Sequence, residues 1–481
     1  IQGTSEGTFN APVIASITET GASPPATMPP STTGLLINQL PAATEMIYYM
    51  GRIFYNKGNV FAGGDIVGNQ SSGTSAYQFS DSVLSVTESP LAFGGDGFTL
   101  PTQAGPITGF AVPNTLDASL GQGILLVGTR QAIYAFYAPV TRSDWINASS
   151  NNPPQIVQVQ FRDGFVGQGS VVGVNGDNYY LTWEPGIRSL LQATRLFSEP
   201  GNVPLSAEEY RILQFNDTSL ENFSTGINFD NRLLMTALPM QMTYGVVHQA
   251  ILPMDFTPIS SASEKSPACW EGHQEGLQIF QLLEQDFNGV DRAFAITLTQ
   301  NPALPGAIEL WELTTDNQFE NQGETSESRV TWQVEFPALE WNDITQLKKL
   351  VSAELWVDRI FGTVEFLAEW RPDGQTCWNT WAKWKVCSAR NANESPGVPI
   401  SYPTEYGEGY RQMMSLPKPP ETCAKGSERP GNIGYQFQTR LTITGFCRIR
   451  GWWLDAEMQS RKLYQNMICS IKDFVSNLLK W

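Results

Sequence analysis

Short apolar runs alternate with turns bearing Gly, Asn or Asp along most of this chain. RIFYNKGNVFAGGD at Arg52–Asp65 is one apolar run, a Gly-Asn turn and a second apolar run. The pattern returns as ILLVGTRQAIYAF at Ile124–Phe136, SVVGVNGDNYYLTW at Ser170–Trp183 and AFAITLTQNPALPGAIELWEL at Ala293–Leu313. That is the grammar of consecutive antiparallel hairpins. Asn175-Gly176 between two apolar runs is the strongest single signal, because a tight primed turn needs positive φ angles that these residues tolerate. Each copy can be the inner hairpin of a four-stranded unit, and a long chain of such units predicts a β-propeller or a related array.

The pattern divides the chain. Residues 1–42, with PPATMPPSTTG at their centre, read as an extended N-terminal arm. Residues 43–345 read as a β-propeller-like body, with a short helix near 206–214 capped by Ser206. Residues 346–456 read as a C-terminal β domain, sandwich-like, whose segment Leu350–Gly374 holds two alternating strands around Gly362. Residues 457–481 predict an amphipathic helix, since Tyr464, Met467, Ile468, Ile471, Phe474, Val475, Leu478 and Leu479 recur at three- and four-residue steps. The expected class is all-β with that one terminal helix.

Composition agrees with a turn-rich β protein. The chain has 481 residues, 42 Gly and 31 Pro, and only 16% of its residues are charged. Net charge is −17, unevenly spread. From residue 371 onward there are 15 Lys+Arg against 9 Asp+Glu, so the deficit lies in the first 370 residues. An acidic body argues against ordinary duplex DNA binding, because phosphate is repelled. No secretory signal opens the sequence, and no run of about 18 apolar residues occurs, so the expectation is a soluble chain with no membrane partner.

Candidate chemistry is sparse. There are two histidines, His248 and His273, and no CxxC among the six cysteines, so neither zinc nor any other metal or cofactor is expected. His248 sits in the apolar run YGVVHQAIL and reads as a structural, hydrogen-bonded residue; His273 sits in a loop. No nucleophile elbow, Walker loop or dinucleotide loop is present. No catalytic residue is assigned, although 47 acidic residues leave a carboxylate pair open. CWNTWAKWKVC places Trp378, Trp381 and Trp384 three apart between Cys377 and Cys387. On a helix the tryptophans make one stripe, on a strand they do not. They are candidate partner or glycan contacts, or else they fill the core of the C-terminal domain, with Trp452 and Trp453 near them. Hairpin geometry makes Cys377 and Cys387 the candidate disulfide.

GRIFYNKGNVFAGGD (Gly51–Asp65), GQGILLVGTRQAIYAF (Gly121–Phe136), PGIRSL (Pro185–Leu190) and FDNRLLMTALP (Phe229–Pro239) resemble phrases of β-propeller virion proteins of tailed phages. The nearest type is the tail tubular or nozzle protein of short-tailed bacteriophages, and the likeness covers roughly residues 45–315. It implies a structural virion protein of the tail, not an enzyme. Such proteins form a homo-oligomeric ring, usually of six copies, below the adaptor and portal. DNA passes through the ring without specific binding, and tail-fibre proteins attach to its side. No site residue carries over. The chain is shorter than typical nozzle proteins and its repeats are irregular, which leaves open a fibre-anchoring tail protein, a host-receptor glycan-recognition protein or a glycan-cleaving propeller enzyme.

Overall fold

The computed structural model describes residues 43–63, 97–113, 124–138, 154–184, 186–190, 204–207, 209–257, 269–314, 320, 328–341, 345–387, 410–414 and 432–458. The expected N-terminal arm lies outside them, as does the expected terminal helix except for Glu457 and Met458, which end a strand. Chain contacts divide the protein into two compact units, Ile1–Thr314 and Thr315–Trp481. The sequence pattern set this boundary near 345. Thr331–Glu335 pairs with Thr444–Arg440 far down the chain, and that pairing carries the segment into the second unit.

The first unit is a series of antiparallel meanders. Its first sheet holds β1 (Met46–Tyr49), β2 (Arg52–Lys57), β3 (Val60–Gly63) and β4 (Gly97–Thr99) in chain order. The second holds β5 (Ile107–Ala111), β6 (Leu125–Thr129), β7 (Ala132–Phe136) and β8 (Ile156–Phe161), again in chain order. The third holds β9 (Val171–Val174), β10 (Asp177–Thr182) and β11 (Gly186–Ser189), with Phe165 bridged to Thr182 beyond β10. Asn175 and Gly176 join β9 to β10 with φ of 49° and 81°, the left-handed pair a primed turn demands. One α-helical turn, α1 (Tyr210–Leu213), follows a 3₁₀ turn at Leu205–Ala207. Ser206 does not cap it; its hydroxyl accepts from the Ile187 amide at 2.8 Å and pins β11.

The fourth sheet is larger. Its order is β12 (Gly226–Phe229), β13 (Arg232–Met242), β14 (Gly245–Asp255), β16 (Gln274–Phe287), β17 (Val290–Leu298) and β18 (Ile308–Leu313), with β15 (Cys269–Trp270) paired to β14.

The four sheets pack face to face in series, so each shared face is a separate core. Phe54 and Phe61 of the first sheet meet Phe110, Val127 and Phe136 of the second. The opposite face of the second sheet, Leu126, Ile133 and Ala135, meets Phe165 and Tyr180. Val172, Val174 and Leu181 meet Leu233, Met235 and Leu252 of the fourth. Being covered on both faces explains why β6 and β7 read LLVGT and AIYAF without alternation: every residue in them is buried. Burying each such Leu, Val or Phe stabilises by about 1.5–3 kcal/mol. The first strands also approach one another, β1 against β5 and β9 against β12. Polar side chains also tie successive segments of the series. Asn56 donates to the Ile107 carbonyl at 3.0 Å, and Thr108 donates to the Phe165 carbonyl at 2.6 Å.

The second unit is built on one long ribbon. Its strands are β19 (Thr331–Glu335), β20 (Lys348–Pro372), β21 (Asn379–Cys387), β22 (Tyr410–Met414), β23 (Ile433–Gly434) and β24 (Phe437–Met458). β20 and β24 pair along nearly their whole length, β19 flanks β24, and β23, β22 and β21 follow one another along the far edge of β20. The two strands expected around Gly362 are one strand of 25 residues. It bends where Arg359 and Gly362 take φ of 50° and 59° and the pairing slips between Asp358 and Glu365. The bend turns the ribbon on itself. Trp452, opposite Leu355, donates to Thr439, opposite Trp370, at 2.9 Å. Ala353, Leu355 and Val357 share one core with Val364, Phe366 and Ala368. Buried Lys348 closes one end by donating to the Gln346 and Tyr435 carbonyls at 2.9 and 3.0 Å.

Candidate functional site

Trp381 and Trp384 both lie on β21, and alternation alone would put them on opposite faces. A β-bulge prevents this. Ala382 pairs with Ala368 and Thr380 with Glu369, which leaves Trp381 as the extra residue. Both indoles therefore reach the same core cluster. Trp384 stacks on Phe366 with centroids 5.0 Å apart and planes 10° apart, and Trp381 meets Trp370 and Trp452 edge-on at 5.8 and 6.2 Å. Trp378 precedes the strand and stays outside this cluster. The Arg371 and Arg440 guanidiniums lie 4.3 and 4.4 Å from its ring centroid. Arg440 also pairs with Glu369, and Arg371 with Gln438 and Glu335, in a polar ladder across the sheet. Of the three candidate contacts, two are half-buried against the core of the second unit and one is sheathed by arginines.

The cysteine pairing is corrected by the same strand. Cys377 is an exposed free thiol just before β21, whereas Cys387 is the last residue of β21, opposite Thr363. A nine-residue strand separates them. At about 3.3 Å per residue the separation far exceeds the roughly 4.4–6.8 Å Cα spacing of a disulfide. The hairpin assumed for them is a single extended run.

A different tryptophan pair faces outward. On the bent ribbon Ala353, Leu355 and Val357 point into the core, so Glu354, Trp356 and Asp358 take the other face. Opposite them on β24 stand Trp453, Gly451 and Arg448. Trp356 is 40% exposed and Trp453 50%, and their rings meet at 4.8 Å and 65°. The indole of Trp453 lies across Gly451. A Cβ on Gly451 would sit 2.3, 2.6 and 2.9 Å from three consecutive ring carbons, the spacing of a ring lying face-down. Trp356 Nε1 donates to the Glu354 carboxylate. Next along the face, Asp358 accepts from Arg448 Nε at 2.7 Å and Arg450 Nε at 2.5 Å. The Arg448 hydrogen bond, with Arg450 adding to it, holds the Asp358 carboxyl down at about 2. Trp356 was missed at the sequence level. The signal was present: ELWVD sets a large aromatic at the outward position of an alternating strand.

His248 and Glu221 are buried titratable groups of the first unit. His248 is fully buried; its Nδ1 donates to the Ile279 carbonyl at 3.3 Å, and Nε2 lies 3.5 Å from Ser224 Oγ. Burial pushes its pKa down to about 4, so the ring is neutral. Glu221, also fully buried, lies 3.4 Å from Asn216 Nδ2, while its second oxygen has no protein partner. Burial pushes this carboxyl up to about 7. The Ser224–His248 pair is thus enclosed in the core. His273 is on the surface, 3.0 Å from Glu275. Among the described residues no group of three His, Cys, Asp or Glu is placed to hold a metal ion. Among them, too, no helix is long and apolar enough to cross a membrane.

No protein-family profile and no curated protein matches the chain. Among solved structures it is similar to a chain of the Chaetomium thermophilum Nup82 NTD–Nup159 TAIL–Nup145N APD complex, at 15% identity and TM-score 0.27. The match covers 49% of this chain and 46% of that one, so under half the length of the matched chain is spanned. It is also similar to a carbohydrate-binding module of the β-sandwich superfamily, at 8% identity and TM-score 0.11, covering 48% of this chain and 92% of the module. At those TM-scores neither likeness bears on fold or role.

Proposed function

We propose that this chain is a structural subunit of a bacteriophage tail, a ring-forming protein of the nozzle kind with a β-propeller-like body. The observation that carries the reading is the serial packing of four meandering sheets in which β1 approaches β5 and β9 approaches β12. Blades set about an axis have this geometry: inner strands converge and each blade is covered on both faces by its neighbours. Such a body offers flat rims of loops, a shape suited to stacking on an adaptor and portal. The folded-over ribbon of the second unit is the sandwich-like part, a platform for a neighbouring copy or a fibre protein.

Charge supports the same role. A net charge of −17 repels phosphate, so DNA moving past such a surface slides without specific binding. On this reading the protein resides in the tail of the virion. Solution mass together with negative-stain imaging tests it. Particles several times the 53.2 kDa chain, seen as rings, are the expected result. A monomer that joins neither rings nor purified tails sinks the proposal.

A further inference from the structure

We infer that Trp356 and Trp453 form a binding corner for a pyranose sugar. Exposed aromatics on sheets commonly cover apolar neighbours, but here the arrangement is open and rigid. Trp453 lies flat because Gly451 has no side chain beneath it, so one indole face rests on the strand and the other is turned outward. Trp356 stands at 65° to it, 4.8 Å away, and its indole N–H is tied to Glu354. The pair makes a floor and a wall. Two tryptophans fixed in this way lose little conformational freedom when a ligand arrives.

The chemistry around the corner selects the ligand. A gluco-configured pyranose carries its hydroxyls equatorially and its C–H bonds axially, so each ring face is a small apolar patch edged with hydroxyls. Polarised C–H groups are attracted to the negative face of an indole. The hydroxyl edge needs donors and acceptors at the same height. Glu354 supplies a carboxylate beside Trp453, and Asp358 with Arg450 supplies a carboxylate–guanidinium pair on the same face. A purely apolar protein partner would bury that pair at a cost, whereas a sugar satisfies it. The inference is independent of ring assembly, because every group in it belongs to one sheet of the second unit.

The test uses the full chain titrated with cellohexaose and with chitohexaose, followed by tryptophan fluorescence and calorimetry. Saturable binding with a Kd in the range of about 10 µM to 1 mM is expected for at least one of them. Trp453→Ala and Trp356→Ala weaken it by roughly tenfold or more. Gly451→Ala does the same while keeping both indoles, since the added methyl lifts Trp453 from its seat. Trp378→Ala leaves binding unchanged. Near-UV circular dichroism checks that each variant is folded. Three results overturn the inference: no saturable binding to either sugar up to about 5 mM, binding that survives both Trp453→Ala and Gly451→Ala, or a change in solution mass with Trp453→Ala in a chain that binds no sugar, which makes the corner a contact between copies.

Discussion

Glu221 and His248 show what burial does to a single ionisable side chain. The Glu221 carboxyl rises from an ordinary 4.5 to about 7 because the core disfavours its charge. Between those values the folded chain holds more protons than the unfolded chain. Its contribution is therefore fully present below 4.5 and is lost as pH rises through about 7. His248 runs the other way. Its pKa falls from 6.5 to about 4, so its contribution is present above 6.5 and lost as pH falls through about 4. The opposing slopes partly cancel in the wild type, so a variant is needed to separate them. Glu221→Gln should match wild type below its ordinary range and exceed it by up to about 3 kcal/mol at about pH 8. Urea unfolding midpoints at low and high pH measure this. An equal difference at both ends would mean that the carboxyl titrates in the fold as it does in the unfolded chain.

Two local devices decide the elements, a turn and a bulge. The turn was legible: Asn175-Gly176 stands between two apolar runs and adopts the positive φ pair its residues suggest. Gly176→Ala keeps the strands but forces a Cβ into a left-handed position, and should cost about 1 kcal/mol in a thermal or urea melt. The bulge was not legible, because no residue type announces it. Trp378, Trp381 and Trp384 look alike in sequence, yet the extra residue in β21 sends Trp381 to the core beside Trp384 and leaves Trp378 under two guanidiniums. Trp381→Ala should cost about 3–5 kcal/mol. Trp378→Ala should cost under about 1 kcal/mol. Equal losses in chemical denaturation would contradict the placement of these side chains.

The whole molecule comprises two units with separate cores, divided after Thr314. Two compact units predict two cooperative transitions. Calorimetry should resolve two, and a fragment spanning 315–481 should keep a near-UV tryptophan signal. A single transition whose calorimetric and van 't Hoff enthalpies agree would show instead that the chain melts as one body.

What the sequence determined by itself was local and periodic. Turn chemistry and apolar runs specified an all-β chain of hairpins, since φ preferences and side-chain alternation act between near neighbours. Tertiary structure decided whatever depends on distant partners. The pairing of Thr331–Glu335 with β24 moved a domain boundary, and the slip in β20 made one bent strand where two were expected. Extension of β21 put Cys377 and Cys387 at its opposite ends. The fold of the ribbon left Trp356 and Trp453 at the surface and half-buried Trp381 against the core. Register and bending are set by long-range hydrogen bonds and by packing between layers, and no local window of the sequence contains those partners.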